Sequence, residues 1–163
     1  MLSSLSEELS AATALPWEVI CLRLLGAVCF CGIIGFERET RNRPAGLRTH
    51  MLVGLAAALY TLIMLETLAN MESYSSQISM DPLRLVNAVT SGVAFLAAGM
   101  IVFAQGKVRG LTTGTSLWLA AAIGLSAGFG MWLMAAATTA LAVVIIRLVK
   151  LAEDGAKQAT DSD

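Results

Sequence analysis

Residues 35–50 read GFERETRNRPAGLRTH, and long apolar runs meet this stretch on both sides. Glu37, Arg38, Glu39, Arg41, Arg43 and Arg48 fall within twelve consecutive positions of a 163-residue chain that is 56% hydrophobic and only 14% charged. The mean hydropathy is +0.72. That is more apolar surface than a soluble domain of this length buries, so composition alone gives an integral membrane protein built of helices, with residues 35–50 as a charged hinge between two spans. A net charge of −1 offers no electrostatic footing for nucleic acid.

Upstream of the hinge, Trp17–Phe36 forms the expected first span. Twenty residues at about 1.5 Å each cover the roughly 30 Å hydrocarbon core. Pro16 suits the helix entry, and Trp17 and Glu18 suit a membrane boundary. Arg23 lies about a turn and a half inside, where it either snorkels to nearby headgroups or pairs with a carboxylate in the bundle. Residues 1–16 contain Glu7 and Glu8 but no Lys or Arg, unlike a cleaved signal peptide. Ser4 and Glu7 have capping-box spacing, so a retained interfacial segment is expected there. Cys21, Cys29 and Cys31 share this apolar region at spacings that do not bring thiols together on a helix face, and a metal site would need added His or carboxylate ligands, so they read as small hydrophobes.

Downstream, Thr49 to about Thr67 reads as the second span, starting earlier if Pro44 occupies a first-turn position. Residues 68–82 are a polar connection without Lys or Arg, ending in Asp81-Pro82. The third span is expected over 83–104, with Arg84 at its mouth and Asn87 inside. Gln105–Gly110 reads as a tight basic turn carrying Lys107 and Arg109. The apolar region 111–149 has thirty-nine residues, too many for one ordinary crossing. It suits two spans broken at Gly128-Phe129-Gly130, where two glycines permit a sharp turn. The tail 151–163 is polar and is expected to fray.

Five spans place Arg38, Arg41, Arg43, Arg48, Lys107, Arg109, Arg147, Lys150 and Lys157 on one face, nine of the eleven basic residues. By the positive-inside rule that face is cytoplasmic. The expected architecture is an all-α polytopic bundle of five transmembrane helices, N-terminus outside and C-terminus cytoplasmic, occupying residues 17–150. A four-span alternative treats 111–149 as one crossing plus an interfacial segment, and puts Arg147, Lys150 and Lys157 outside.

In lipid, helices associate through close packing and interhelical hydrogen bonds, so small residues repeating every four positions mark contact faces. Ser116, Ala120, Gly124 and Gly128 form one such ladder, Cys31 and Gly35 another, and Ala94 and Ala98 a third. These ladders imply a tight bundle and serve a homodimer contact equally well. Asn87, Thr90, Ser91, Thr112, Thr113, Thr115 and Ser116 are polar groups within spans. The hydroxyls can bond a carbonyl one turn back, which the Asn87 amide does less easily.

Glu37 and Arg41, and Glu39 and Arg43, have the four-residue spacing of helical ion pairs. Glu37 is the carboxylate that needs explaining. It stands at the C-terminal end of a span, where the helix dipole gives it nothing, so it should require a cation: Arg38, Arg48, Arg109 or a metal ion. A buried Glu37–Arg48 core facing Arg109 is the expected structural account. Glu37, Glu39 and Asp81 cannot together form a Mg2+ site, because Asp81 lies at the opposite membrane face. His50 reads as a satisfied interfacial histidine or as a proton sensor.

Several motifs carry a specific resemblance. Gly35-Phe36-Glu37-Arg38-Glu39, Ala45-Gly46-Leu47-Arg48-Thr49-His50 and Asp81-Pro82-Leu83-Arg84 stand in order with Ser91-Gly92, Ala98-Gly99, Val108-Arg109-Gly110-Leu111-Thr112-Thr113 and Ala122-Ile123-Gly124. Over residues 17–150 this resembles the MgtC/SapB family of bacterial inner-membrane proteins, in a short form without the soluble C-terminal domain. The sequence departs from the family pattern at Ala94 and Ala97, where glycine is usual, and at Ala88, where the amide moves to Asn87. The resemblance implies a polar core of Glu37, Arg38, Glu39, Arg48, Thr49, Asp81, Arg84, Asn87, Arg109, Thr112 and Thr113. It also implies helix packing at Gly35, Gly92, Gly99, Gly124 and Gly128.

Functionally the resemblance implies adaptation to low Mg2+ and acid stress, survival in hosts, and, for the MgtC branch, restraint of the ATP synthase by contact in the membrane. A non-enzymatic regulator of this kind is expected, with the lipid bilayer and other membrane proteins as partners and neither cofactor nor metal. The competing expectation is a channel or transporter for Mg2+ or protons. No nucleophile–base pair or metal constellation points to an enzyme.

Overall fold

The computed structural model describes residues 13–71, 81–104 and 107–160. The expected N-terminal interfacial helix and most of the 68–82 connection lie outside these residues. The described chain forms five helices and one small hairpin: α1 (Trp17–Glu39), α2 (Leu47–Met71), α3 (Pro82–Met100), β1 (Val102–Ala104), β2 (Lys107–Arg109), α4 (Leu111–Gly128) and α5 (Trp132–Thr160). By length and apolar composition α1, α2, α3 and the 132–149 part of α5 can each cross a membrane. At eighteen residues and about 27 Å, α4 lies outside that set because its first turns are Thr112, Thr113, Gly114, Thr115 and Ser116.

Local chemistry accounts for the helix boundaries. α1 runs three residues past Phe36 and ends with Asn42 N–H bonding Glu39 O (3.0 Å) and Arg43 N–H bonding Arg38 O (3.2 Å). This nested pair needs a left-handed residue, and Asn42 supplies it with φ 51°. Pro44 follows and lies outside α2 rather than in its first turn, since α2 begins at Leu47. α3 starts where expected, on an Asp81 carboxylate that accepts Leu83 N–H at 2.9 Å with Pro82 in the first turn.

The third span is shorter than expected. It stops at Met100, and Ile101 turns extended into a β1–β2 hairpin pairing Val102 with Arg109 and Ala104 with Lys107. A run of β-branched and aromatic residues around a short connection favours that strand pair over a helical last turn. The chain leaves it through Gly110, φ 89°, where a Cβ would fall 2.1 Å from Met100 O. At the other end of the bundle, the break expected at 128–130 is a second nested cap. Gly130 N–H bonds Ala127 O (2.9 Å), Met131 N–H bonds Ser126 O (2.8 Å), and Gly130 has φ 76°. α5 then continues helical to Thr160, through the stretch expected to fray.

The core sits between α1, α2 and α4, which approach to backbone contact. A Cβ on Gly124 would fall 2.3 Å from Gly54 O, and one on Gly54 2.3 Å from Cys31 Sγ. One on Gly128 would fall 2.7 Å from Thr61 Cβ, and one on Gly35 2.8 Å from Leu47 Cα. Ala27, Ala58 and Ala127 fill one layer beside these contacts, and Cys31, Ile34, Ala120 and Ile123 another. The packing role expected of Gly92 and Gly99 differs: a Cβ at either would meet nothing within 4 Å. Both lie away from the one α3 face that packs on α4, where Ala97 is buried and lies 3.3 Å from a Cβ placed on Gly114.

Arg23 pairs with a backbone carbonyl, not with the carboxylate that was one expectation for it. Its Nη1 donates to Gly128 O at 2.8 Å, so its charge caps the C-terminal end of α4 where the dipole is negative. Replacing it with methionine keeps the stem and removes the donor. Arg23→Met is expected to lower stability in detergent by about 1–2 kcal/mol, read as a fall in melting temperature. An unchanged melting temperature would show that the cap contributes nothing.

Candidate functional site

The polar residues converge where α1 ends and α2 and α4 begin. Cys31, Gly35 and Arg38 lie on one stripe of α1, so the packing that buries Cys31 and Gly35 against α2 carries Arg38 inward too. Arg38 is 3% exposed and Glu37 5%. The Glu37 carboxylate is held by ion pairs alone: Arg41 Nε lies against Oε1 and Arg38 Nε lies 3.6 Å from Oε2. Neither oxygen, nor Arg38 Nε, has a hydrogen bond of good geometry. This is a compact cluster of one buried carboxylate and two guanidiniums, all from the end of α1 and its cap.

The expected Glu37–Arg48 core does not form. Arg48 is exposed on α2 and turned toward α3, because the start of α2 places Leu47 and His50, not Arg48, against Gly35 of α1. Arg109 is exposed at the end of β2. Of the two helix pairs, Glu37–Arg41 is present. Glu39 instead reaches across the hinge and accepts Leu47 N–H at 3.0 Å, so it caps α2, and its carboxylate lies over Gly46, where a Cβ would displace it.

His50 is fully buried and bridges two helices. Nδ1 lies 2.8 Å from Gly46 O, and Nε2 lies 3.0 Å from Ser116 Oγ on α4. A carbonyl only accepts, so Nδ1 carries the proton. Ser116 Oγ is also 2.9 Å from Thr113 O, yet it has one proton to give. With a neutral imidazole that proton goes to Nε2; given to Thr113 O, it would require Nε2 to be protonated as well. His50 is therefore a satisfied interior link between α2 and α4. Its pairing with Ser116 spans sixty-six positions, and nothing local in the sequence announces it.

The remaining candidates scatter. Thr113 is buried beneath Ser116, whereas Thr112 is exposed and Thr49 half-buried. Asp81 and Arg84 lie at the opposite end, lining a cavity of about 420 Å³ with Tyr60 and Thr67. Asn87 is exposed on α3. Among the described residues no group of three His, Cys, Asp or Glu side chains is placed to hold a metal ion. Glu66 was not singled out in the sequence, yet both of its oxygens accept Ala14 N–H, at 3.0 and 2.8 Å.

A sequence model of the MgtC family matches residues 24–154. YhiD of Escherichia coli strain K12, named as a candidate magnesium transporter, is 40% identical over 111 residues, covering 68% of this chain and 51% of that one. Protein MgtC of Brucella abortus strain 2308 is 39% identical over 130 residues, covering 78% and 50%. Protein SapB of Bacillus subtilis strain 168 is 36% identical over 122 residues, covering 72% and 52%. The chain thus spans about half the length of these relatives. No solved structure matches it. The matched region contains the whole α1–α2–α4 core, the Glu37–Arg38–Arg41 cluster and the His50–Ser116 link, and the chain belongs to the MgtC family.

Proposed function

We propose that the protein is a non-enzymatic regulator of the bacterial inner membrane that acts by helix–helix contact with another membrane protein. The observation that carries this reading is the outward face of α3. Asn87, Ser91 and Phe95 follow one another at four-residue spacing and all are exposed, Phe95 at 84%. The Asn87 amide has no hydrogen bond among the described residues. An amide on a lipid-facing helix gains most from a partner helix that bonds it.

The reading includes five spans, with the N-terminus outside and the basic ends cytoplasmic. In support, α4 runs beside α2 from the His50–Ser116 bond to the Gly128–Thr61 contact. The partner implied by the family resemblance is the ATP synthase, in the setting of low Mg2+, acid stress or virulence; a second copy of the chain is the other candidate. Pull-down from detergent-solubilised bacterial membranes is expected to recover ATP synthase subunits with the wild type and several-fold less with Asn87→Leu. Recovery of the protein only with itself counts against the regulatory partner.

A second reading, transport of Mg2+ or protons, has one observation in its favour. The buried Glu37 borders a cavity of about 460 Å³ between α1 and α5 that also contains Arg147, and YhiD is named for magnesium transport. Against it, glycine contacts close the centre of the bundle to backbone distance. Purified protein in liposomes is expected to give no Mg2+ or proton flux above empty liposomes. Flux above that level would replace regulation with transport.

A further inference from the structure

Two cavities of different character meet on the α2–α3 side of the bundle. One, about 700 Å³, is a cleft between the helices, with Leu52, Ala56 and Tyr60 on one wall and Leu85, Gly92 and Leu96 on the other. The second, about 490 Å³, lies in the hinge and contains Glu39, Asn42 and Arg43. Arg48 and Thr49 line both. An apolar slot therefore opens directly into a polar chamber.

The charges in the chamber are unequal. Glu39 turns one oxygen to Leu47 N–H, while the guanidiniums of Arg43 and Arg48 are exposed and have no hydrogen bond or ion pair among the described residues. The chamber is left net positive at a place where apolar chains lie alongside. The slot runs from Arg48 to Tyr60, about 18 Å along the helix, against about 15 Å for one leaflet, half of the hydrocarbon core. Its length suits one acyl chain whose headgroup sits at the hinge. A partner helix would cover the slot and leave both guanidiniums unpaired, and free phosphate would leave the slot unfilled.

We propose that the hinge chamber and the α2–α3 cleft together bind one anionic phospholipid, the phosphate between Arg43 and Arg48 and an acyl chain in the cleft. Each guanidinium donates charge-assisted hydrogen bonds to the phosphate oxygens, and Thr49 adds a hydroxyl. Gly92 leaves the chain its room, since a Cβ there would touch nothing.

The test is native mass spectrometry of the full chain in mild detergent, titrated with palmitoyl-oleoyl phosphatidylglycerol and separately with palmitoyl-oleoyl phosphatidylcholine. The wild type is expected to retain one phosphatidylglycerol per chain at a concentration at least about tenfold below that needed for phosphatidylcholine. Arg43→Gln with Arg48→Gln removes that preference. Gly92→Leu fills the cleft and displaces both lipids while the melting temperature holds, which keeps the test valid if the arginine double variant fails to fold. Equal retention of the two lipids by the wild type overturns the proposal. So does displacement of phosphatidylglycerol by inorganic phosphate at comparable concentration, or a lipid-free dimer that Gly92→Leu separates. None of these outcomes depends on the partner face of α3.

Discussion

Purified Gly124→Ala is expected to melt far below the wild type, while Gly92→Ala and Gly99→Ala melt with it. All three add the same methyl group to a glycine inside a helix. At Gly124 that methyl would fall 2.3 Å from Gly54 O and 2.8 Å from Gly54 Cα. Neither is the end of a side chain that can swing aside, so α2 and α4 must separate. The separation also strains the His50–Ser116 bond, whose two ends lie on those helices. Overpacking costs about 1–3 kcal/mol where side chains can yield; a backbone neighbour puts this case at the top of that range. At Gly92 and Gly99 nothing lies within 4 Å. Thermal unfolding in detergent of the three variants side by side reads the difference, and equal melting would refute backbone contact between α2 and α4.

The second large effect belongs to Glu37. With Arg38 97% removed from solvent, the Glu37 carboxylate is its counter-charge. Glu37→Gln keeps size and shape but leaves a buried guanidinium uncompensated, a change that costs about 3–5 kcal/mol when one partner of a buried pair is lost. Arg41 is the more exposed partner and reorients into water, so it adds little to the loss. Membrane accumulation and melting temperature should both fall sharply. The double variant Glu37→Gln with Arg38→Gln, which removes both charges, should regain most of the loss. If the single variant is as stable as the wild type, or the double is no better than the single, the pair is not the buried electrostatic unit of this end of the bundle.

What could be read in advance was local. Pro16 with Trp17 and Gly128 to Gly130 marked two helix boundaries, because capping and turn chemistry act over a few residues. The four-residue spacing gave the Glu37–Arg41 pair. Partners decided by the approach of distant helices were not legible. Arg48 was expected on Glu37, but the register of α2 against α1 turns it toward α3, and Glu39, read as half of an exposed ion pair, caps α2 across the hinge. Arg23 finds a carbonyl at the end of α4, 105 positions away, instead of a carboxylate. The turn around 105–110 was expected, but the strand at 102–104 was hidden by its hydropathy, which continues that of α3. Among glycines, Gly35, Gly124 and Gly128 stand at close contacts and Gly92 and Gly99 do not, since spacing identifies a face but not its neighbour. Gly54, the closest neighbour of Gly124, drew no notice because it sits singly in an apolar run.

The three-residue turn at 129–131 ties the last turn of α4 to the first turn of α5, since so short a connection reaches at most about 14 Å. α5 begins with Trp132, Leu133 and Met134, all exposed to the surroundings, while α4 ends on Gly128, seated against Ala58 and Thr61 of α2. An exposed apolar surface and a close interior contact thus stand one short step apart. Any apolar phase that covers the start of α5 also fixes the end of α4 against α2.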